Sequence, residues 1–148
     1  MTGGERSILL VEDNPDDVAL TLRALRKASV LNEVRIAGDG AAAMDVLFGQ
    51  EAAGRPVPGL ILLDLNLPKI NGIEVLRRIR DEERTRYIPV VILTSSAEQE
   101  DVIASYHFGA NAYVRKPVRF SEFTDAVSTL GMFWLLLNQP VQGSAQVV

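Results

Sequence analysis

The run Gly59-Leu60-Ile61-Leu62-Leu63-Asp64 constrains the fold more than any other stretch of this chain. Four consecutive apolar residues, bounded by Gly59 before and by Asn66, Pro68 and Asn71-Gly72 after, read as a strand buried on both faces. Such strands sit in the middle of parallel sheets, with helices over both sides. Ending the strand on Asp64 puts an acid at the carboxyl edge of the sheet, where open α/β folds take their ligands.

The same pattern recurs along the chain. Residues 7–11 form an apolar run that ends on Glu12 and Asp13, 34–37 a short strand, 88–93 a buried strand ending on Thr94-Ser95-Ser96, and 111–114 a last strand leading into Arg115-Lys116-Pro117. Helical periodicity fills the intervals. One helix starts at Pro15, with Asp16 and Asp17 complementing its dipole and Val18, Leu22 and Leu25 on its apolar face. A second covers 41–48 with Met44, Leu47 and Phe48 inward. A third starts at Gly72, turning Ile73, Val75, Leu76 and Ile79 inward and Arg77, Arg78, Arg80 and Asp81 outward. A fourth covers 97–108, stopped by Gly109, and a fifth starts at Phe120. Strands alternating with helices predict an α/β fold: a doubly wound, five-stranded parallel sheet in the order 2-1-3-4-5, flavodoxin-like.

Composition narrows the chemistry. The 148 residues carry a net charge of −4 and no basic run, which argues against a nucleic-acid surface. With no cysteine and a single histidine, His107, thiol chemistry and a zinc site are excluded. The amino terminus lacks the apolar core of a signal peptide, and the apolar run 132–137 is far too short to span a membrane. A cytoplasmic protein is expected.

In the expected order the strand ends share one edge, so Glu12, Asp13, Asp64, Thr94 and Lys116 converge. Each has a plain reading taken singly: helix-capping acids, a turn threonine, a solvated lysine. Together they make three crowded carboxylates beside an ammonium and a hydroxyl. Crowded carboxylates repel one another, and a hard divalent cation relieves them. Mg²⁺ fits best, because it keeps several waters and takes only one or two carboxylates. A carboxylate flanked by that cation, Lys116 and Thr94 is suited to receive a phosphoryl group, with Asp64 as the nucleophile.

The segments Leu-Val-Glu-Asp-Asn (10–14), Leu-Leu-Asp-Leu-Asn-Leu-Pro (62–68), Asn-Gly (71–72), Leu-Thr-Ser-Ser (93–96) and Lys-Pro (116–117), in that order, resemble the receiver domain of two-component response regulators. The resemblance runs from about residue 7 to residue 130. It implies a switch phosphorylated on aspartate by a sensor histidine kinase. Asp64 would be the phosphoacceptor, and Asp13 a direct Mg²⁺ ligand. Glu12 would support the metal through water, and Asn66 would offer its backbone carbonyl. Thr94 would follow the phosphoryl group, Lys116 would pair with it, and Tyr113 would be the aromatic switch residue. The Lys116-Pro117 bond is often cis in such proteins. Asn66 and Ser96 flank the acceptor and should tune attack by water. The alternative of another class is an aspartate-nucleophile phosphatase of the haloacid-dehalogenase type. That family requires a second Asp where this chain has Asn66.

The chain is expected to divide into a receiver domain, 1–130, and a helix extension and tail, 131–148, with no separate output domain. Phe120, Phe123, Val127, Leu130, Trp134 and Leu137 form a stripe able to pack on the sheet, while Met132, Phe133, Leu135 and Leu136 lie off it. An end apolar all round needs a partner. A homodimer using Phe133, Trp134, Leu136 and Leu137 is expected. The ending Asn138-Gln139-Pro140 resembles the short regulators paired with bacterial phytochromes, which would make the kinase a light sensor.

Overall fold

The computed structural model describes residues 7–95, 106–116 and 118–129. Among them are β1 (Ile8–Val11), α1 (Pro15–Lys27), β2 (Val34–Ala37), α2 (Gly40–Phe48), a 3₁₀ turn (Gln50–Ala52), β3 (Leu60–Asp64), α3 (Gly72–Asp81), β4 (Val90–Thr94), β5 (Ala112–Arg115) and α4 (Phe120–Thr129). All strand pairs are parallel, and the order is β2-β1-β3-β4-β5, the doubly wound order the apolar runs predict. Most of the helix expected over 97–108 lies outside the described residues, as do Ser96, Pro117 and the whole 131–148 extension.

β1 and β3 are buried along their whole length, because each has a helix layer above and below. Alternate residues serve opposite cores. Ile8, Leu10, Leu60 and Leu62 pack with Leu25, Val118 and Phe123 on the α1/α4 side. Leu9, Val11, Ile61 and Leu63 pack with Leu47, Val75, Leu76 and Ile79 on the α2/α3 side. The period of two along each strand thus explains why continuous apolar runs were needed.

Several local details depart from expectation. α1 presents Thr21, Ala24 and Leu25 as its buried residues, with Val18 and Leu22 only partly covered. β4 begins at Val90 rather than Ile88, because the Ile88 N–H is taken by the Thr85 carbonyl and Pro89 has none to give. Phe120 is half exposed, since Val118 takes the core position beside Phe123.

The largest departure is Arg80, expected on the polar face of α3. Its guanidinium instead donates to the carbonyls of Gly109, Arg86 and Ile88 and to Asn111 Oδ1, at 2.7–3.0 Å. Asn111 Oδ1 also accepts the Val90 N–H at 2.8 Å. Burial lowers the Arg80 pKa, yet the fork of donors matches three backbone carbonyls and the Asn111 side chain. Arg80→Met should therefore cost about 2–4 kcal/mol in urea unfolding, the penalty for stranding part-buried carbonyls. Arg77→Met, which removes only an exposed bond to Glu74 and a contact over the Phe108 ring, should cost no more than about 1 kcal/mol. Equal losses would contradict the stapling role.

Candidate functional site

The register fixes which residues meet at the carboxyl rim. Val11 lies opposite Leu63, so Glu12 follows beside Asp64. Asp64 lies opposite Leu93, and Thr94 opposite Arg115, which puts Lys116 one residue past the end of β5. The Glu12 N–H is still tied to the Ala37 carbonyl at 3.0 Å, so the chain turns away from the sheet only after Glu12. Asn14 then caps α1, its Oδ1 accepting the N–H groups of Asp16 and Asp17 at 2.8 and 3.1 Å.

One carboxylate oxygen from each of Glu12, Asp13 and Asp64 lies within 4.8 Å of the others. Glu12 is 1% exposed and Asp64 2%, while Asp13 faces solvent. Lys116 extends across the rim, and its Nζ donates to Glu12 Oε2 at 3.0 Å, Asp17 Oδ2 at 3.0 Å and Asp64 Oδ2 at 3.2 Å. It also lies 2.8 Å from Glu12 Oε1 as an ion pair, without the alignment of a hydrogen bond, so that buried oxygen has no hydrogen-bond donor. Asp64 Oδ1 accepts the Asn66 N–H at 3.2 Å.

The structure brings Glu12, Asp13, Asp64, Asn66 and Lys116 together along one rim. Thr94 ends the neighbouring strand, but the position of its hydroxyl lies outside the described part of the structure. Tyr113 is half-buried on β5, opposite Ile92, and packs on the α2/α3 side of the sheet. His107 is exposed, edge-on to Phe108. Phe133, Trp134, Leu136 and Leu137 lie outside the described residues. The residue missed is Asp17, read from sequence only as an acid suited to the helix dipole. Its sole signal was its place in the first turn of α1, one turn past Asp13 and above the rim.

The donor set suits a hard divalent cation. It consists entirely of oxygen, it holds a buried carboxylate oxygen without a donor, and Asp13 leaves an open side for water.

Electrostatics agree. Burial, the largest influence, lifts the Glu12 pKa above the ordinary 4.5; the Asp64 charge adds to it, and the Lys116 bond offsets part. Burial alone would lower the Lys116 pKa, but bonds to Glu12 and Asp17 and the charge of Asp64 raise it well above the usual lysine value. Lys116 therefore stays charged across the physiological range. A carboxyl whose folded pKa exceeds its unfolded one stabilises the fold below the unfolded value, and that contribution is lost as pH rises through the folded value. In chelator, the stability of the wild type relative to Glu12→Gln should accordingly fall as pH is raised from about 4 to 7. Urea midpoints along that series would read it out. A difference that stays flat or moves the other way would contradict the burial argument.

With this geometry in hand, comparison with known proteins is specific. Residues 8–128 match the response regulator receiver domain. The chain is 43% identical over 129 residues to response regulator Rcp1 of Synechocystis, covering 86% of this chain and 88% of that one. It is 40% identical over 132 residues to the probable methanogenesis regulatory protein FilR2 of Methanothrix harundinacea, covering 89% and 85%. Among solved structures, the bacteriophytochrome response regulator AtBRR is 51% identical with a TM-score of 0.78, covering 90% of this chain and 97% of that one. The Mn(2+)-bound form of Rcp1 superposes with a TM-score of 0.73 at 43% identity, covering 88% and 94%. A parallel sheet in this order, an acid trio on its rim and these matches lead to one conclusion: the chain belongs to the response regulator receiver domain family.

Proposed function

We propose that this response regulator is a phosphoacceptor switch, taking a phosphoryl group from a sensor histidine kinase onto Asp64 with the help of Mg²⁺. The observation that carries the reading is the convergence of Glu12, Asp13 and Asp64 oxygens within 4.8 Å beside a lysine ammonium. Asp13, Asp64 and the Asn66 carbonyl are the proposed metal ligands, with Glu12 supporting through water. A divalent ion held there supplies positive charge to the phosphoryl oxygens as they approach.

The chain's own residues do the rest. The Asn66 N–H fixes Asp64 Oδ1, leaving Oδ2 beside Lys116. A carboxylate oxygen of Asp64 attacks phosphorus, a P–O bond forms, and the P–N bond of the donor phosphohistidine breaks with its electron pair returning to the ring. Lys116, charged throughout, pairs with a phosphoryl oxygen. The Thr94 hydroxyl follows the phosphoryl group and Tyr113 turns inward, shifting a two-state equilibrium of the surface around β5. Asn66 is an amide where an aspartate-nucleophile phosphatase needs a second acid, which favours the switch over the enzyme.

The likeness to the bacteriophytochrome response regulators AtBRR and RtBRR supports a phytochrome as the upstream kinase. The apolar 131–148 extension supports a homodimer through Phe133, Trp134, Leu136 and Leu137. Among the described residues no helix is long and apolar enough to cross a membrane.

Incubation with a small phosphodonor and Mg²⁺ should add one phosphoryl group by intact mass. The addition should be lost in Asp64→Asn or in chelator, and slowed by about a hundredfold or more in Asp13→Asn or Lys116→Ala. Label that survives Asp64→Asn would move the acceptor elsewhere. Truncation after Thr129 should give a monomer by light scattering; a dimer would remove the extension from the interface.

A further inference from the structure

Asp17 has no part in the acceptor or metal roles proposed above. It sits in the first turn of α1, 26% exposed, with its N–H held by the capping Asn14. Its Oδ2 lies 3.0 Å from Lys116 Nζ, closer than the 3.2 Å separating that ammonium from Asp64. The acids that converge as a possible cation site are Glu12, Asp13 and Asp64. Asp17 thus gives Lys116 a partner on α1 beside those it has at Glu12 and Asp64.

An ammonium has three protons, and here all three are given to carboxylates: Glu12, Asp17 and Asp64. A bond to a phosphoryl oxygen requires one of them back. Glu12 is buried, and stripping a donor from a buried carboxylate that already has one oxygen without a hydrogen bond is expensive. Asp64 carries the phosphoryl group itself. Asp17 is the partner that water reaches, so its bond is the one given up at least cost.

We propose that Asp17 is a positioning residue that holds Lys116 at rest on the α1 side of the rim and competes with the phosphoryl group for it. The inference rests on Asp64 being the phosphoacceptor. It has a direction that a structural prop would not produce. Phosphorylation brings further negative charge to a rim already rich in it, and neutralising Asp17 both lessens that repulsion and frees the ammonium. Losing a prop would weaken the phosphorylated state; losing a competitor strengthens it.

The test is calorimetric titration with beryllofluoride, an acyl-phosphate mimic, at saturating Mg²⁺. Asp17→Asn should bind it roughly three- to tenfold more tightly than the wild type, the scale of one partly exposed charge pair. Asp17→Glu, which restores the charge, should return toward the wild-type affinity. Asp17→Ser, which keeps an oxygen at the start of the helix, should behave like Asn and serves if that variant folds poorly. Thermal unfolding of each accompanies the titration. Variants that fold but bind no more tightly, or more weakly, overturn the role of Asp17 and leave the acceptor standing. A wild-type protein that takes up no beryllofluoride overturns the acceptor reading and this inference with it.

Discussion

One ammonium among buried carboxylates governs the carboxyl rim of this protein. Glu12 and Asp64 are taken almost wholly out of water, and Lys116 is the cation that reaches them among the described residues. Burying a carboxylate is tolerated only with compensation, and here two buried acids and the more accessible Asp17 share a single positive charge. The deficit appears in the raised pKa of Glu12 and in its oxygen without a donor. A rim with such a surplus of negative charge is poised to gain a cation, and the gain is largest where the charge is most buried.

The sheet bears this arrangement because the acids sit at its end, not in it. β1 and β3 supply two of the most apolar strands available, and their register delivers Glu12 and Asp64 side by side at the point where helices no longer cover the strands. Gly72 then brings α3 close against the same rim. A Cβ there would collide with the Asp64 carbonyl oxygen, and the Gly72 N–H reaches the Leu65 carbonyl at 2.9 Å. The following loop is held from the other side as well, by the Gly40 N–H on the Pro68 carbonyl at 3.4 Å and by Lys69 on Asp39 at 3.4 Å.

Strand order and rim acids were legible in the sequence for a simple reason. Continuous apolar runs leave a strand no choice but the middle of a parallel sheet, and the residue following each run has to fall on one edge. That logic places Glu12, Asp64 and Lys116 without any knowledge of side-chain conformation. It fails where a long side chain selects its partner across the fold. Arg80 has the spacing of a solvent-facing helix residue, yet its partners at Gly109 and Asn111 are 29 and 31 residues away. Lys116 likewise spans the rim to reach Asp17, 99 residues earlier. Periodicity fixes where a Cβ points, and says little about where four or five further atoms come to rest.

The same distinction separates the fixed part of the rim from the adjustable part. Asp64 is set by a strand, by the Asn66 N–H and by the close approach of α3; its position is dictated by backbone. Lys116 is set only by its bonds, at the end of a flexible stem with several rotatable torsions. A group arriving at Asp64 therefore meets a carboxylate fixed by backbone and an ammonium that can move. Of the ammonium's three carboxylate partners, the hydrated one on α1 yields most readily, so α1 is coupled to the acceptor through a single side chain. On the proposed acceptor reading, the change at Asp64 would reach α1 through rearranged charge at the rim, alongside the path through Thr94 and Tyr113 to β5.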